Sequence, residues 1–421
     1  MVTAAPGQAT GTVGPARAET RVGEITRQSE VAPGSTGVTP RSRLAALAPY
    51  LLALSLLARF AVTYLVPNGT NFIDLHVYVD GAAAMGRGGL YDFVYHPAIP
   101  PLPLQFTYPP FAAVVFYPLH FLPFWLVGLC WQLGIVAALY GSAAIALRLL
   151  GRADPRMAMT WTALAVWFEP MRHLFELGQI GALLMVAVLA AVYDRRWWVS
   201  GPLVGLATGM KLTPAVAGLY FAGARRWRTV ACSAVVFGLT VGSSVVLGGA
   251  QARFYFTDLL GEADRIGVVN TTMNQSLRGV VGYLAGRDTG YGPVLVAAVV
   301  LTAALSLLAW WRIGSADPLG RIVVVMLFGL LISPISWTHH WVWVLPLAMW
   351  LVLGPLRAHT RLVGWAWVVL AYVGSPWLVM FASDTGRLGG RPWYAEFTGS
   401  LYVLGAVLTL AYVGLVSRRS R

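Results

Sequence analysis

Long apolar runs separated by short arginine-bearing connections dominate this chain. Taking about 20 apolar residues as the length of a crossing helix, runs stand near 44–66, 125–149, 157–170, 177–193, 229–249, 293–311, 321–336, 338–355, 361–381 and 398–416. Two shorter runs, 199–208 and 212–223, flank "TGMKLTP". The pattern predicts an all-α polytopic membrane protein, a bundle of about twelve transmembrane segments. The run at 110–122, "PFAAVVFYPLHFL", is short for a crossing. It either extends the next helix or lies re-entrant or flat at the interface.

The remaining stretches are two long loops, 67–109 and 250–292, and the ends. "DLHVYVDGAAAM" has helical spacing, and "YHPAIPPLPLQFTYPPF" reads as an extended, proline-rich stretch. Both loops are predicted to be ordered and to carry amphipathic helices. Residues 1–43 read as a disordered tail, residues 44–416 as the membrane domain, and 417–421 as a basic tail. No convincing internal repeat is visible, which weighs against an inverted-repeat transporter.

Composition agrees with the pattern. The chain is 57% hydrophobic and 11% charged over 421 residues, whereas soluble domains carry about a quarter charged residues. The net charge of +13 suggests nucleic acid at first sight. The arginines instead sit in short clusters between apolar runs, where they orient helices, so no nucleic-acid partner is expected. Placed by that rule, Arg41 and Arg43, the 148–156 connection, Arg195 and Arg196, the 225–228 cluster, Arg312 with Arg321, Arg357 with Arg361 and the C-terminal arginines share one face. Both termini are then cytoplasmic, and the two long loops face the exterior of the plasma membrane. Cys130 and Cys232 lie in apolar runs and are expected to be buried free thiols. Among the 30 basic residues, Lys211 is the only lysine.

Candidate chemistry concentrates on the outer side. On a helix, Asp74 and Tyr78 share a face at i and i+4, while Asp80 points about 240° away. Asp74 serves either as a general base or as an acid capping the first turn; Asp80 and Asp92 suit capping and turns. Lys211 interrupts a run whose halves are too short to span. It either lines a cavity and meets an anionic headgroup or snorkels. His339 and His340 in "SPISWTHHWVW" are costly at membrane depth unless used. They contact phosphate or sugar, or belong to an interfacial belt with Trp337, Trp341 and Trp343. "NTTMNQSLRG" supplies Asn274, Gln275 and Arg278, groups suited to sugars and phosphates and equally to an ordinary polar loop. Gln179 in "ELGQIGALLM" is a binding group or a cap. No HExxH, CxxC pair, DxD, GxxxxGK[ST] or strand-borne GxGxxG occurs, so neither a metal nor a nucleotide cofactor is expected.

"DLHVYVDGA", "LYDF", "FTYPPFAAVVFYPL", "LGQI", "KLTP", "NQSLRG" and "SPISWTHH" together resemble the polyprenol-phosphate-mannose-dependent mannosyltransferases of actinobacteria, of the PimE type, over about residues 44–416. The resemblance implies a C-type glycosyltransferase fold, with the acid of the first outer loop, Asp74, as catalytic base. It implies a polyprenyl-phosphate-mannose donor, a phosphatidylinositol mannoside acceptor, and inversion from a β-linked donor to an α-1,2 product. Asp74 would deprotonate the acceptor; Lys211, His339, His340 and Arg278 would hold the phosphate; Tyr78, Tyr108, Gln179, Asn274 and Gln275 would bind substrate. This chain reads "GQIG" where the family commonly has GQxN, so position 181 (Gly181) lacks a side-chain partner. An arabinofuranosyltransferase using a decaprenyl-phosphate sugar, and a lipid or solute transporter, are the competing readings.

Overall fold

The computed structural model describes residues 40–67, 69–97, 103–262, 265–374 and 397–416. Most of the predicted tail at 1–43 and the basic tail at 417–421 lie outside the described residues. The architecture is helical. Its only strands among the described residues are the two-residue pair β1 (Val94–Tyr95) and β2 (Leu104–Gln105), antiparallel in the first loop.

Helix α1 (Pro40–Leu65) is followed by α2 (Ile73–Met85), the helix predicted in the first loop. The ambiguous run at 110–122 is a short helix, α3 (Pro110–Phe116), continued by a 3-10 turn to Phe121. It stops before α4 (Phe124–Leu149) at Pro123 and does not extend it. Then come α5 (Pro155–Ala165), α6 (Glu169–Leu177), α7 (Gly181–Tyr193), α8 (Trp197–Met210), α9 (Ala217–Gly223) and α10 (Trp227–Phe254). Helix α11 (Leu277–Ala285) lies in the second loop. Helices α12 (Pro293–Ile313), α13 (Pro318–Ile332), α14 (Val344–Leu353), α15 (Arg357–Val373) and a last helix, Leu401–Val416, complete the bundle.

The number of full crossings differs from the sequence expectation. Among the described residues four helices are long and apolar enough to cross a membrane, or five if α6 and α7, bent by 119° across their break, count as one. The other apolar runs form helices shortened by prolines, glycines and turns. Short helices and irregular backbone are tolerated at membrane depth when packed inside protein. Helix α14 shows this: every residue from Val344 to Val352 is buried, the all-round apolar character of a central helix. Trp350 within it and Trp341 just before it are fully buried, and Trp343 is buried too, so Trp341 and Trp343 belong to the core and not to an interfacial belt. The cysteines are free, but Cys130 is exposed on α4 instead of buried.

The packing of α8 on α10 positions the lysine. Gly201, Gly205 and Gly209 recur at i, i+4 and i+8 on α8. A β-carbon at them would meet Cys232, Ser233 with Val236, and Thr240 of α10 at 2.5, 2.7 and 2.6 Å. This small-residue stripe lets two membrane helices approach closely, and α8 ends one residue before Lys211. Gly205→Leu should therefore destabilise the protein by about 1–3 kcal/mol, the cost of overpacking a tight contact. A melting transition in detergent at the wild-type temperature would contradict this account.

Candidate active site

The site is assembled around the break between α6 and α7. Gly178 ends α6 at φ 76°, the left-handed region that favours glycine. A β-carbon there would also meet Leu75 of α2 at 2.6 Å. Position 178 is thus constrained by backbone conformation and by its neighbour. The carbonyl of Glu176 accepts hydrogen bonds from Asn71 N (3.1 Å) and Phe72 N (2.9 Å) and from the Thr70 hydroxyl (2.9 Å). Phe72 itself has φ 47°, an uncommon conformation for a large side chain. These contacts set the start of α2, and with it Asp74 in the first turn.

Gln179, next after Gly178, is the hub. Its Oε1 accepts from the Tyr78 hydroxyl (3.0 Å) and the Tyr108 hydroxyl (3.2 Å), and the two phenols lie 2.8 Å apart. With the amide oxygen so occupied, the amide nitrogen is left to donate to Asp74. Lys211 Nζ lies 3.4 Å from the Tyr108 hydroxyl and 5.0 Å from its ring centroid. It also donates to His340 Nε2 at 3.1 Å, so that nitrogen accepts and the imidazole is neutral. The break that carries Lys211 is as expected: α8 stops at Met210 and a 3-10 turn starts at Thr213.

Asp74 is only half-buried by surface area because it faces a cavity, yet protein surrounds it closely. Burial pushes its carboxyl up to about 6; the Gln179 hydrogen bond and the Lys211 charge oppose the shift. Helix α2 lies in the loop between α1 and α3, so this is a group outside the spanning helices. The cavity measures about 1030 Å³. Asp74, Tyr108, Gln179, Lys211, Arg278, His339 and His340 all line it.

The other predicted residues sit elsewhere. Tyr78 is fully buried behind Gln179. Asn274 and Gln275 are buried and hold backbone. Asn274 Nδ2 donates to Val269 O and Pro334 O (2.9 and 3.1 Å), and its Oδ1 accepts from Ser336 N (2.9 Å). Gln275 donates to Thr272 O and Gly399 O, and its backbone N donates to Ser336 O. "NQS" is thus bonded to "PIS", the stretch that leads into the histidines. The structure places Asn274 and Gln275 as supports for the His339–His340 turn, outside the cavity lining. Arg278 reaches the cavity but is neutralised by Asp288, with Nε to Oδ1 at 3.1 Å. Asp80 pairs with His76 at 3.2 Å, and neither it nor Asp92 lines the cavity.

The cavity also holds His173, Tyr91, Tyr255 and Arg265, which the sequence pattern did not single out. His173 has a carboxylate on each ring nitrogen, Glu169 at 3.2 Å and Glu176 at 3.0 Å; His173 and Glu176 line the cavity. Their i+4 and i+3 spacing in "EPMRHLFEL" marks one helix face and was a readable signal. Tyr91, Tyr255 and Arg265 also line it, and nothing in their sequence spacing joins them.

Together these features define a cavity in which the carboxylate of Asp74 lies close to the ammonium of Lys211. The family model of glycosyltransferase family 87 matches residues 106–334, and the chain belongs to that family. It is 56% identical over 388 residues, 91% of this chain and 95% of the relative, to a polyprenol-phosphate-mannose-dependent alpha-(1-2)-phosphatidylinositol pentamannoside mannosyltransferase of Mycolicibacterium smegmatis. It is 50% identical, over 97% of this chain and 96% of the relative, to a protein of the same description from Mycobacterium tuberculosis. An alpha-(1-2)-phosphatidylinositol mannoside mannosyltransferase of Mycobacterium tuberculosis is 32% identical over 82% of this chain and 84% of its own. No solved structure matches significantly. Like its family, the chain is a membrane glycosyltransferase.

A base at Asp74 must be ionised to act, so kcat/KM should fall about tenfold per pH unit below pH about 6. Gln179→Leu removes a hydrogen bond to the charged form, which raises the carboxyl further and should move this acid limb to higher pH. An unmoved limb in Gln179→Leu would show that the titrating group is not Asp74.

Proposed function

We propose that this protein transfers mannose from polyprenol-phosphate-mannose to a phosphatidylinositol mannoside, forming an α-1,2 linkage on the outer face of the plasma membrane. The observation that carries the reading is the pairing of Asp74 with the adjacent Lys211 cation, while Glu176, also at the wall, is held by His173. Inverting transfer needs a single base and stabilisation of a leaving phosphate, whereas glycosidases use two carboxylates. The identity of the named relatives supports the sugar, the linkage and the lipid donor. The two most similar of them act on a pentamannoside, which makes that the acceptor to try first. Membership of a glycosyltransferase family sets the transport reading aside.

In this mechanism Asp74 accepts the proton of the acceptor 2-hydroxyl. The hydroxyl oxygen attacks C1 of the donor mannose from the face opposite the phosphate. The C1–O–phosphate bond breaks, and its electron pair leaves with polyprenyl phosphate. Lys211 receives the developing negative charge, with the neutral His339–His340 pair as polar neighbours; a preorganised charge of this kind is a major contribution to catalysis. Gln179, Tyr78 and Tyr108 hold Asp74 ionised and correctly oriented, and Asn274 and Gln275 hold the histidine turn. Arg278 is the weakest of the phosphate candidates, because Asp288 already neutralises it. The outward orientation rests on the arginine clusters of the opposite connections. With both termini cytoplasmic, the loop that carries Asp74 faces outward.

Asp74→Asn should lower kcat by about 10²–10⁴, the usual worth of general-base catalysis, with KM for either lipid little changed. Asp80→Asn should stay within about threefold of wild type, a surface-pair effect. Membranes assayed with radiolabelled lipid-linked mannose and purified pentamannoside give both numbers; near wild-type turnover by Asp74→Asn would remove the assignment.

A further inference from the structure

Among the described residues at the cavity wall, Arg265 is a guanidinium that the mechanism leaves unused. Arg278 is tied to Asp288 and lies over Tyr291. His173 is flanked by Glu169 and Glu176. Lys211 sits close enough to Asp74 for each to influence the other's charge. Arg265 differs from all three. It donates to the carbonyl of Tyr91 at 3.3 Å and its guanidinium lies 5.9 Å from the Tyr91 ring centroid. Among the described residues it makes no ion pair; Glu262, also at the wall, is exposed and forms none with it.

Its surroundings say what kind of anion it meets. Leu260, Ile266 and Val268 line the same part of the chain and the same cavity, and are 50%, 42% and 61% exposed. Exposed apolar side chains around a guanidinium that makes no ion pair among the described residues fit an amphiphile, a phosphate ester with a hydrocarbon chain attached. The planar donor fork suits phosphate, and the apolar rim suits the lipid. A free phosphate or a soluble sugar would leave that rim wet. The position is connected to the reacting end: the Tyr91 hydroxyl donates to Tyr108 O at 3.0 Å, and Lys211 lies over the Tyr108 ring. Tyr91 is itself stacked on Tyr255, centroids 5.5 Å apart, which fixes the wall against which Arg265 rests.

We propose that Arg265, with Leu260, Ile266 and Val268, forms a second phosphate subsite of the cavity, taking the phosphate ester of a lipid substrate while Lys211 serves the reacting centre. This rests on the proposed reaction, in which donor and acceptor are both lipid phosphate esters; the chemistry recognised is the same for either.

The test uses the full-length protein in nanodiscs. Steady-state transfer is measured for wild type, Arg265→Gln, Arg265→Lys and Val268→Glu, varying polyprenyl-phosphate-mannose and phosphatidylinositol pentamannoside separately, with a short phosphate-free mannoside as a third acceptor. Arg265→Gln should raise one lipid KM about tenfold, the scale of a lost charge-assisted hydrogen bond, with kcat within about twofold. Arg265→Lys should recover much of the loss, and Val268→Glu, which sets an acid beside the cation, should reproduce it. A rise confined to the donor assigns the subsite to polyprenyl phosphate. A rise confined to the pentamannoside, absent with the phosphate-free mannoside, assigns it to the phosphatidylinositol phosphate. Unchanged KM for both lipids in Arg265→Gln and Val268→Glu overturns the proposal. Equilibrium binding of polyprenyl phosphate and of phosphatidylinositol to the same variants separates the two readings. Weakened binding without any mannose transfer by wild type would leave the subsite standing and remove the reaction.

Discussion

Asp74 is a carboxylate kept usable in a protein that is mostly apolar, and much of the site follows from that constraint. Burying a charge costs several kcal/mol unless hydrogen bonds and an opposite charge compensate. Here the compensation comes from Gln179, whose oxygen is engaged by two phenols so that its nitrogen faces the acid, and from Lys211. The result is a carboxyl near 6, high enough to take a proton readily and low enough to be ionised at neutral pH. Without the Gln179 hydrogen bond, burial would push the same carboxyl higher still.

That orientation is inherited from backbone. The left-handed glycine at 178 turns the chain out of α6, and the Glu176 carbonyl gathers the residues just before α2. One short break therefore sets both the acid and its hydrogen-bond donor. On the other wall, Lys211 depends on where α8 ends, which depends on the glycine stripe against α10. The histidine turn depends in turn on Asn274 and Gln275. Three separate pieces of backbone converge on one cavity, and the lysine and histidine pieces are secured by groups outside its lining.

A bundle with few full-length crossings makes this possible. Broken and shortened helices leave backbone ends and polar side chains at depth, and these are stable only because they face one another or a cavity. Helix α14, apolar on every side, and the buried tryptophans beside it provide the rigid interior against which the broken segments are set.

Much was legible in the one-dimensional pattern. Apolar runs and arginine clusters imply a polytopic helical membrane protein. The lone lysine in an interrupted run marks a break, and helical spacing separates Asp74 from Asp80, because these depend on local periodicity and on the cost of charge in lipid. Other features needed the tertiary structure. Which apolar runs are full crossings depends on packing among them. That Asn274 and Gln275 support a turn, that Arg278 is neutralised by Asp288 and that Arg265 makes no ion pair among the described residues, depends on partners brought together only by folding. A sequence records which charges exist; whether each is compensated is a matter of distance, and only the folded chain sets distances.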